Sequence, residues 1–353
     1  MLAGGIFVFS SLVKLIDPMG TAIKLGDYFA AGVLDLEFLM PYRIYLALIL
    51  ILLEWLIGWA LILRFRPRLT YPVAITLMSF FLFLTGYTLI TGKVTDCGCF
   101  GDAIKISPAQ TFLKNIIILA LLIVLYFFER RMPARHSSRK ALLLLAGTIP
   151  ALGLGIWTLH HLPIIDFRPY AVGQNIRQGM EIPPGAPTYQ FKDIWYYRIN
   201  GQVKKFTSED EPWNIPGAQF VKRESKVVRK GYEPPIHDFG IENDTTDITD
   251  QVLNMDNIYL ILIPYPDQLQ ANDTLRLSIL MNSLRSNHKD FVIVAADHAP
   301  ILDQWIWNHH QSLYFMDPTA LKTAIRTRVG VMHLQNARIV SKHTLKDFLH
   351  HRP

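Results

Sequence analysis

The sequence has few cysteines and little charge, and it lacks the short motifs of several common enzyme classes. Only two of its 353 residues are cysteine, and 18% are charged, whereas roughly a quarter of an ordinary globular domain is charged. It contains no GxSxG elbow, phosphate-binding loop, HExxH pair or dinucleotide fingerprint. The reactions that depend on those motifs are therefore excluded, and the sequence indicates no enzyme class.

The basic excess does not indicate a nucleic-acid partner. The formal net charge of +6 lies largely in short loops between apolar runs, and no basic stripe with interleaved aromatic residues accompanies it. The start of the chain runs directly into an apolar segment without the small-residue cleavage pattern of a secretory leader, so we expect no cleaved signal peptide.

Apolar residues make up 50% of the chain and concentrate before residue 160. A helix needs roughly 20 such residues to cross a bilayer. Four segments reach this length, and a shorter first segment, residues 1–16, is counted as a fifth span. The four are residues 44–63, 71–90, 112–128 and 141–159. The sequence therefore predicts four to five transmembrane helices.

Lysine and arginine in the short loops orient these helices. Arg64, Arg66 and Arg68 follow the second span, and residues 130–140 carry five basic side chains after the fourth. Basic loops remain cytoplasmic. Residues 17–43, 91–111 and all residues after 160 are therefore predicted to lie outside. We expect a multi-pass protein of the bacterial inner (cytoplasmic) membrane, with its C-terminal domain in the oxidising periplasm.

The two cysteines stand in the run Asp96-Cys97-Gly98-Cys99-Phe100-Gly101-Asp102, beyond the outer end of the third span. Cysteines two positions apart can close a small strained ring, and strained disulfides exchange readily. The alternatives are a static disulfide and two idle thiols, and the flanking carboxylates disfavour a reactive thiolate. Zinc is less favoured, because it requires four ligands. Cys97 and Cys99 are therefore a candidate redox pair.

Glu54 lies midway along the second span. An ionisable side chain at that depth is a functional-site hypothesis, and a structural hydrogen bond to a neighbouring helix is an equal alternative. Lys14 is a candidate partner, although the depth of Glu54 argues against contact. Lys14, shortly before Asp17-Pro18, also fits a snorkelling lysine at a helix end. The doublets His160–His161, His309–His310 and His350–His351 are predicted to be surface or interface residues, since none has metal-ligand spacing.

The second half of the chain has mixed polarity and predicts an α/β domain. Residues 190–207 alternate around Asn200-Gly201, which predicts a hairpin within a small β-rich connector. Beyond residue 234, strands alternate with helices and end in a hairpin and a helix, as in an α/β sandwich. The predicted domains are residues 1–160, 161–233 and 234–353.

Residues 1–130 resemble the DoxX/MauE family of small membrane proteins. The resemblance rests on residues 5–18 (GIFVFSSLVKLIDP), on Glu54 with Gly58, and most specifically on DCGCFGD at 96–102. It implies an α-helical membrane bundle associated with periplasmic redox or disulfide maturation. MauE-like members of the family are linked to maturation of methylamine dehydrogenase.

Residues 234–353 resemble a soluble α/β thioredoxin-like domain of the periplasmic thiol-disulfide kind, beginning at Pro234-Pro235-Ile236-His237-Asp238-Phe239. The resemblance places the family's CxxC at residues 264–267, where this chain has Pro-Tyr-Pro-Asp, and its cis-proline at Val329. Without cysteines the domain cannot exchange dithiols. It is more consistent with a binding or docking module.

Three functions are compatible with these patterns. In the first, Cys97 and Cys99 pass reducing equivalents between a periplasmic client thiol protein and a membrane partner, for which a membrane quinone is the candidate, with Glu54 as an intramembrane acid. In the second, the chain is a non-catalytic assembly or scaffold factor whose thioredoxin-like domain binds a client. In the third, it is a transporter or channel subunit that uses Glu54, although few other intramembrane polar residues are evident. The outer position of the cysteines favours the first.

Overall fold

The computed structural model describes residues 1–94, 101–104, 106–130 and 138–350. Among the described residues, six helices form the N-terminal membrane bundle. Of these, α3 to α6 are long and apolar enough to cross a membrane, and each contains most or all of one predicted span. The helices are α1 (Leu2–Ile16), α2 (Pro18–Phe29), α3 (Arg43–Ile62), α4 (Pro67–Thr91), α5 (Pro108–Glu129) and α6 (Ser138–His160). A 3-10 turn over Glu37–Tyr42 precedes α3.

A sharp bend at Asp17 separates α1 from α2, which meet at 96°. The Asp17 carboxylate accepts a hydrogen bond from the Gly20 N–H at 3.0 Å, and Pro18 occupies the first position of α2. Both features favour the start of a new helix. The pair counts as a fifth span only if the bent helices are taken together.

Small residues allow α1 to lie against α3. A Cβ atom on Gly4 would lie 2.7 Å from the Gly58 carbonyl oxygen, and one on Gly58 would lie 2.8 Å from the Val8 nitrogen. Glycine at both positions lets the two backbones approach each other closely. The contacts run antiparallel, because Leu15 near the end of α1 packs with Ile51.

The two ends of the bundle differ in their contacts. At one end, the basic loops after α3 and α5 meet, since Arg64 pairs with Glu129 at 3.1 Å and Arg68 donates to the Arg130 carbonyl at 3.4 Å. Asp17 lies at the opposite end, where it contacts the soluble half, meaning the residues after α6.

The soluble half begins with the short helix α7 (Ile176–Met180) and a three-stranded antiparallel sheet. This sheet has the order β2-β1-β3, with β1 at Gln190–Ile199, β2 at Gln202–Thr207 and β3 at Gln219–Arg229. The predicted hairpin is confirmed, because Ile199 pairs with Gln202 around Asn200 and Gly201, which both have positive φ.

A five-stranded mixed sheet forms the centre of the remaining chain, in the order β6-β5-β4-β7-β8. Strands β4, β5 and β6 are parallel, and β7 and β8 complete the sheet antiparallel. The strands are β4 (Ile258–Ile263), β5 (Phe291–Ala295), β6 (Leu313–Phe315), β7 (Gly330–Gln335) and β8 (Arg338–Thr344).

Helices cover both faces of this sheet, so every residue of β4 is buried, as expected for a central parallel strand. The helices are α8 (Thr249–Asn254), α9 (Ala271–Ser286), α10 (Pro300–Asn308), α11 (Pro318–Ala324) and α12 (Leu345–His350). One core contains Tyr170, Ile176 and Met332, and the other contains Leu277 and Trp305. The predicted combination of a membrane bundle and a soluble α/β domain is confirmed.

Candidate functional site

Cys97 and Cys99 lie outside the residues that the structure describes. The chain is described up to Val94 and again from Gly101. Gly101 and Asp102 are the residues of the DCGCFGD motif that the structure describes, and the Asp102 side chain forms ion pairs.

Arg326, just after α11, joins the soluble half to two carboxylates of the bundle. Its Nε lies 3.0 Å from Asp17 Oδ2 and its Nη2 lies 3.1 Å from Asp102 Oδ2. The Arg326 side chain is only 9% exposed, and burial alone would lower its pKa, but the charges of Asp17 and Asp102 raise the pKa above its ordinary value. The soluble half thus directly contacts the residue that closes the cysteine motif.

Tyr265 makes a second contact between the two halves. It follows β4 and is 8% exposed. The Arg43 guanidinium lies 5.9 Å from its ring centroid, and Lys322 Nζ lies 5.4 Å from the same centroid. In open α/β sheets, ligands bind beyond the carboxyl ends of the parallel strands, where the strand order reverses. Here that edge lies against the bundle, so the Pro-Tyr-Pro-Asp loop at 264–267 faces the membrane half of the same chain.

Histidines of two doublets have defined contacts. His161, which follows α6, stacks on Trp157 with a centroid distance of 4.5 Å, and its Nδ1 lies 2.9 Å from an Asp347 oxygen in α12. His309 Nε2 lies 3.1 Å from Ser278 Oγ. These two rings therefore lie at an interdomain interface and between soluble helices. No cluster of three or more metal-ligating side chains occurs among the described residues.

Glu54 forms a buried ion pair with Lys14. Lys14 Nζ lies 2.6 Å from Glu54 Oε2, and the two side chains are 6% and 5% exposed. The ammonium group also lies 5.1 Å from the Phe81 ring centroid. The interpretation of Lys14 as a snorkelling lysine is wrong. Its amine turns into the bundle, because α1 ends at the bend and its last turn lies beside the middle of α3.

Polar side chains of α1 and α5 lie beside this ion pair. A cavity of about 20 Å³ lies here, and its lining combines five apolar residues with the polar residues Ser10, Lys14, Glu54, Lys114 and Asn115. Such a volume holds about one water molecule. These residues therefore do not fit a quinone ring. The hydrophobic pattern did not single out Lys114 and Asn115, because the two form one short polar step near the start of a long apolar segment.

The bundle can now be compared with known proteins. Residues 1–128 match the family described as Methylamine utilisation protein MauE. Over this part the chain is similar to MauE. The match begins before α1 and ends within α5, so it includes the ion pair, both cysteines and Asp102, whereas α6 and the soluble half lie beyond it.

One curated relative is Protein TlpB of Flavobacterium psychrophilum, to which the chain is 30% identical over 131 residues. This alignment covers 34% of the chain and 33% of the relative. The chain therefore spans about a third of the length of that protein. No solved structure matches the chain significantly.

Proposed function

We propose that this protein is a membrane redox component whose Cys97–Cys99 pair exchanges electrons with a client thiol protein of the bacterial envelope. In this proposal the chain resides in the inner membrane, and the cysteine pair and the soluble half face the periplasm. The contact between Arg326 and Asp102 carries the proposal, since it brings the soluble half to the residue three positions after Cys99.

The exchange balances as a two-electron step. A client thiolate attacks one sulfur of the Cys97–Cys99 disulfide and forms a mixed disulfide, which the second client thiolate then breaks. The client loses two electrons and two protons, and Cys97 and Cys99 become thiols. A second disulfide-bearing protein on the same face reoxidises the pair by the same exchange.

The soluble half acts in this proposal as a thioredoxin-like binding module. Three parallel strands followed by an antiparallel hairpin and a helix agree with that resemblance. The only cysteines of the chain are in the membrane domain, so the module contributes no sulfur. Its contribution is to hold the client beside the cysteine loop.

The redox state of the cysteines tests the proposal. Intact cells are treated with a thiol reagent that does not cross the inner membrane, before and after exposure to oxidant or reductant, and the mass shift of the full-length protein is measured. We expect a mixed population that responds to both treatments, with no shift in the Cys97→Ser/Cys99→Ser variant. A disulfide that never opens, or thiols that never oxidise, would contradict the proposal.

The sidedness has its own test. The meeting of the two basic loops at the end of the bundle opposite Asp17 supports the predicted orientation. Reporter fusions after residue 135 and after residue 165 are expected to report the cytoplasm and the periplasm, respectively. If both reported the cytoplasm, a periplasmic cysteine pair would be excluded.

A non-catalytic assembly factor is the second candidate. It is favoured by the contact between Tyr265 and Arg43, which fixes the soluble half to the bundle without any thiol. Under this alternative the cysteines form only a static disulfide that holds their loop in place. Full function of the Cys97→Ser/Cys99→Ser variant in cells would support it.

A further inference from the structure

A cavity of about 340 Å³ lies between the bundle and the soluble half. Asp102 contributes from the bundle and residues 167–170 from the segment after α6. The soluble half contributes Pro235, His237, Asp238 and Asp317, together with residues of α11. Arg326 also lines it, so the cavity lies directly beside the ion pairs that join the two halves. The volume is sufficient for a long side chain together with part of its backbone.

A buried hydroxyl without a partner marks this cavity. Tyr170 is 2% exposed, and its hydroxyl has no hydrogen-bond partner among the described residues. Burial, followed by the negative charges of Asp238 and Asp317, raises the pKa of Tyr170, and all three residues line the cavity. The ring packs against Phe239 with a centroid distance of 6.1 Å. The hydroxyl is itself buried, and a buried hydroxyl normally has a hydrogen-bond partner, so a ligand that entered the cavity beside Tyr170 would supply the missing one.

The charges of the lining leave a negative balance. Arg326 pairs with Asp17 and Asp102, and Lys24 also lies 4.0 Å from Asp102. Arg168 and Lys342 share Asp166, so these four cations face three carboxylates. Neither Asp238 nor Asp317 belongs to any of the ion pairs found among the described residues. Asp317 Oδ1 accepts from two backbone N–H groups at the start of α11, which leaves its other oxygen for a ligand. A cationic group is therefore the complementary occupant.

We propose that this cavity binds the basic side chain of an extended peptide segment, with its cationic head donating hydrogen bonds to Asp238 and Asp317 while Tyr170 donates to a peptide carbonyl. Since Asp102 forms one wall, the peptide is a segment of the client near the cysteine that reacts. This identification of the peptide as client rests on the proposed function. The cavity supplies specificity for a basic residue, which neither the cysteine pair nor the ion pairs provide.

A binding experiment with the full-length protein in lipid nanodiscs tests this site. The probes are three fluorescein-labelled, cysteine-free hexapeptides that differ at one position, which is Arg, Gln or Glu. Fluorescence anisotropy is expected to show at least about ten-fold tighter binding of the Arg peptide than of the Gln peptide, and the Glu peptide is expected to bind most weakly. Free arginine amide that competed as well as the Arg peptide would overturn the peptide part of the inference.

Variants connect that preference to the cavity. Tyr170→Phe keeps the ring and is expected to weaken the Arg peptide about five-fold, the effect of one hydrogen bond. Asp238→Asn and Asp317→Ser are expected to reduce the Arg preference further, and serine retains the helix cap. Asp290→Asn, outside the cavity, is the matched control and should bind like the wild type. The proposed site would be contradicted if the three peptides bound equally well. It would also be contradicted if Asp290→Asn weakened binding of the Arg peptide as much as the cavity variants do.

The same assay separates this inference from the proposed function. The Cys97→Ser/Cys99→Ser variant is expected to retain the Arg preference while losing thiol exchange. Thiol exchange in a protein that shows no preference for the Arg peptide would contradict the cavity site and leave the redox proposal intact. An Arg preference in a protein whose cysteines never exchange would remove the redox proposal and retain a peptide site.

Discussion

Arg326 Nη2 lies 3.1 Å from Asp102 Oδ2, although the two residues are 224 positions apart in the chain. The same guanidinium also pairs with Asp17 at the bend between α1 and α2. A single buried side chain therefore connects the soluble half, the bend and the end of the cysteine motif. Any movement of the soluble half away from the bundle must separate these charges.

Replacing this guanidinium should undock the soluble half. Arg326→Gln removes the cation and leaves two carboxylates facing each other, which we expect to cost about 2–5 kcal/mol of docking free energy. Limited proteolysis after α6 should accelerate in the full-length protein. Arg328→Gln is the matched control, since Arg328 is 41% exposed and pairs at 3.4 Å, which is worth at most about 1 kcal/mol. Equal proteolysis of the two variants would contradict the bridging role of Arg326.

Variants of the buried Lys14–Glu54 pair test whether the pair serves the stability of the bundle or the thiol exchange. Lys14→Met leaves Glu54 as an unpaired buried carboxylate, which we expect to cost about 3–5 kcal/mol and to lower the thermal midpoint in detergent. The double variant Lys14→Met/Glu54→Leu should recover most of that loss. A stable double variant that no longer supports thiol exchange would give Glu54 a role in the chemistry. A stable and active one would show that the pair is structural.

The close approach of α1 and α3 predicts different outcomes at adjacent glycines. A Cβ atom at Gly4 would meet the Gly58 carbonyl oxygen at 2.7 Å, whereas one at Gly5 would have nothing within 4 Å. Gly4→Ala is expected to destabilise the bundle by about 1–3 kcal/mol through overpacking, and Gly5→Ala to be nearly neutral. Thermal unfolding in one detergent measures both. If the two variants melted together, the helix contact would be incorrect.

Stability should depend on pH through Lys342. Burial, and then the positive charge of Arg168, lower the pKa of Lys342 from its ordinary value of 10.5 to about 8, against the opposing effect of Asp166. Between these two pH values the unfolded chain binds more protons than the folded chain, so this group makes stability rise with pH.

Urea denaturation of the full-length protein from pH 7 to pH 10 tests this dependence. The difference in unfolding free energy between the wild type and Lys342→Met is expected to be constant below pH 8 and to shift in favour of the wild type above it. Lys346→Met, at an exposed position of α12, controls for the loss of a positive charge. A difference that falls above pH 8 would contradict the assigned direction.

Most helices and strands could be predicted from the sequence because their signals are local. The apolar runs of α3 to α6 and the Asn200-Gly201 turn can each be recognised within one continuous stretch of sequence. The strands β4 to β8 were similarly marked by short apolar or alternating runs. Helices α7 and α8 were not predicted, since five or six residues provide too few positions for a helical pattern.

The candidate site was harder to predict from the sequence. Its contacts depend on how deep each helix lies in the bundle and on how the soluble half docks onto it. The length of α1 does not show how deep its last turn lies beside α3, so the pairing of Lys14 with Glu54 was only one alternative beside a snorkelling lysine at the helix end. The partners of Arg326 lie 309 and 224 residues away, and no local pattern connects such positions. The unpartnered hydroxyl of Tyr170 likewise becomes apparent only when the surrounding core is assembled.

The contact of Tyr265 with Arg43 and Lys322 also constrains how this protein can be recombined. A chimera that joins this bundle to the soluble half of a relative would place an unrelated loop on Arg43, and the reverse chimera would leave Tyr265 without one of its two cations. Transfer of either half therefore requires residues 43 and 265 to move together. In a family of such proteins, these two positions should vary together even though they lie far apart in the chain.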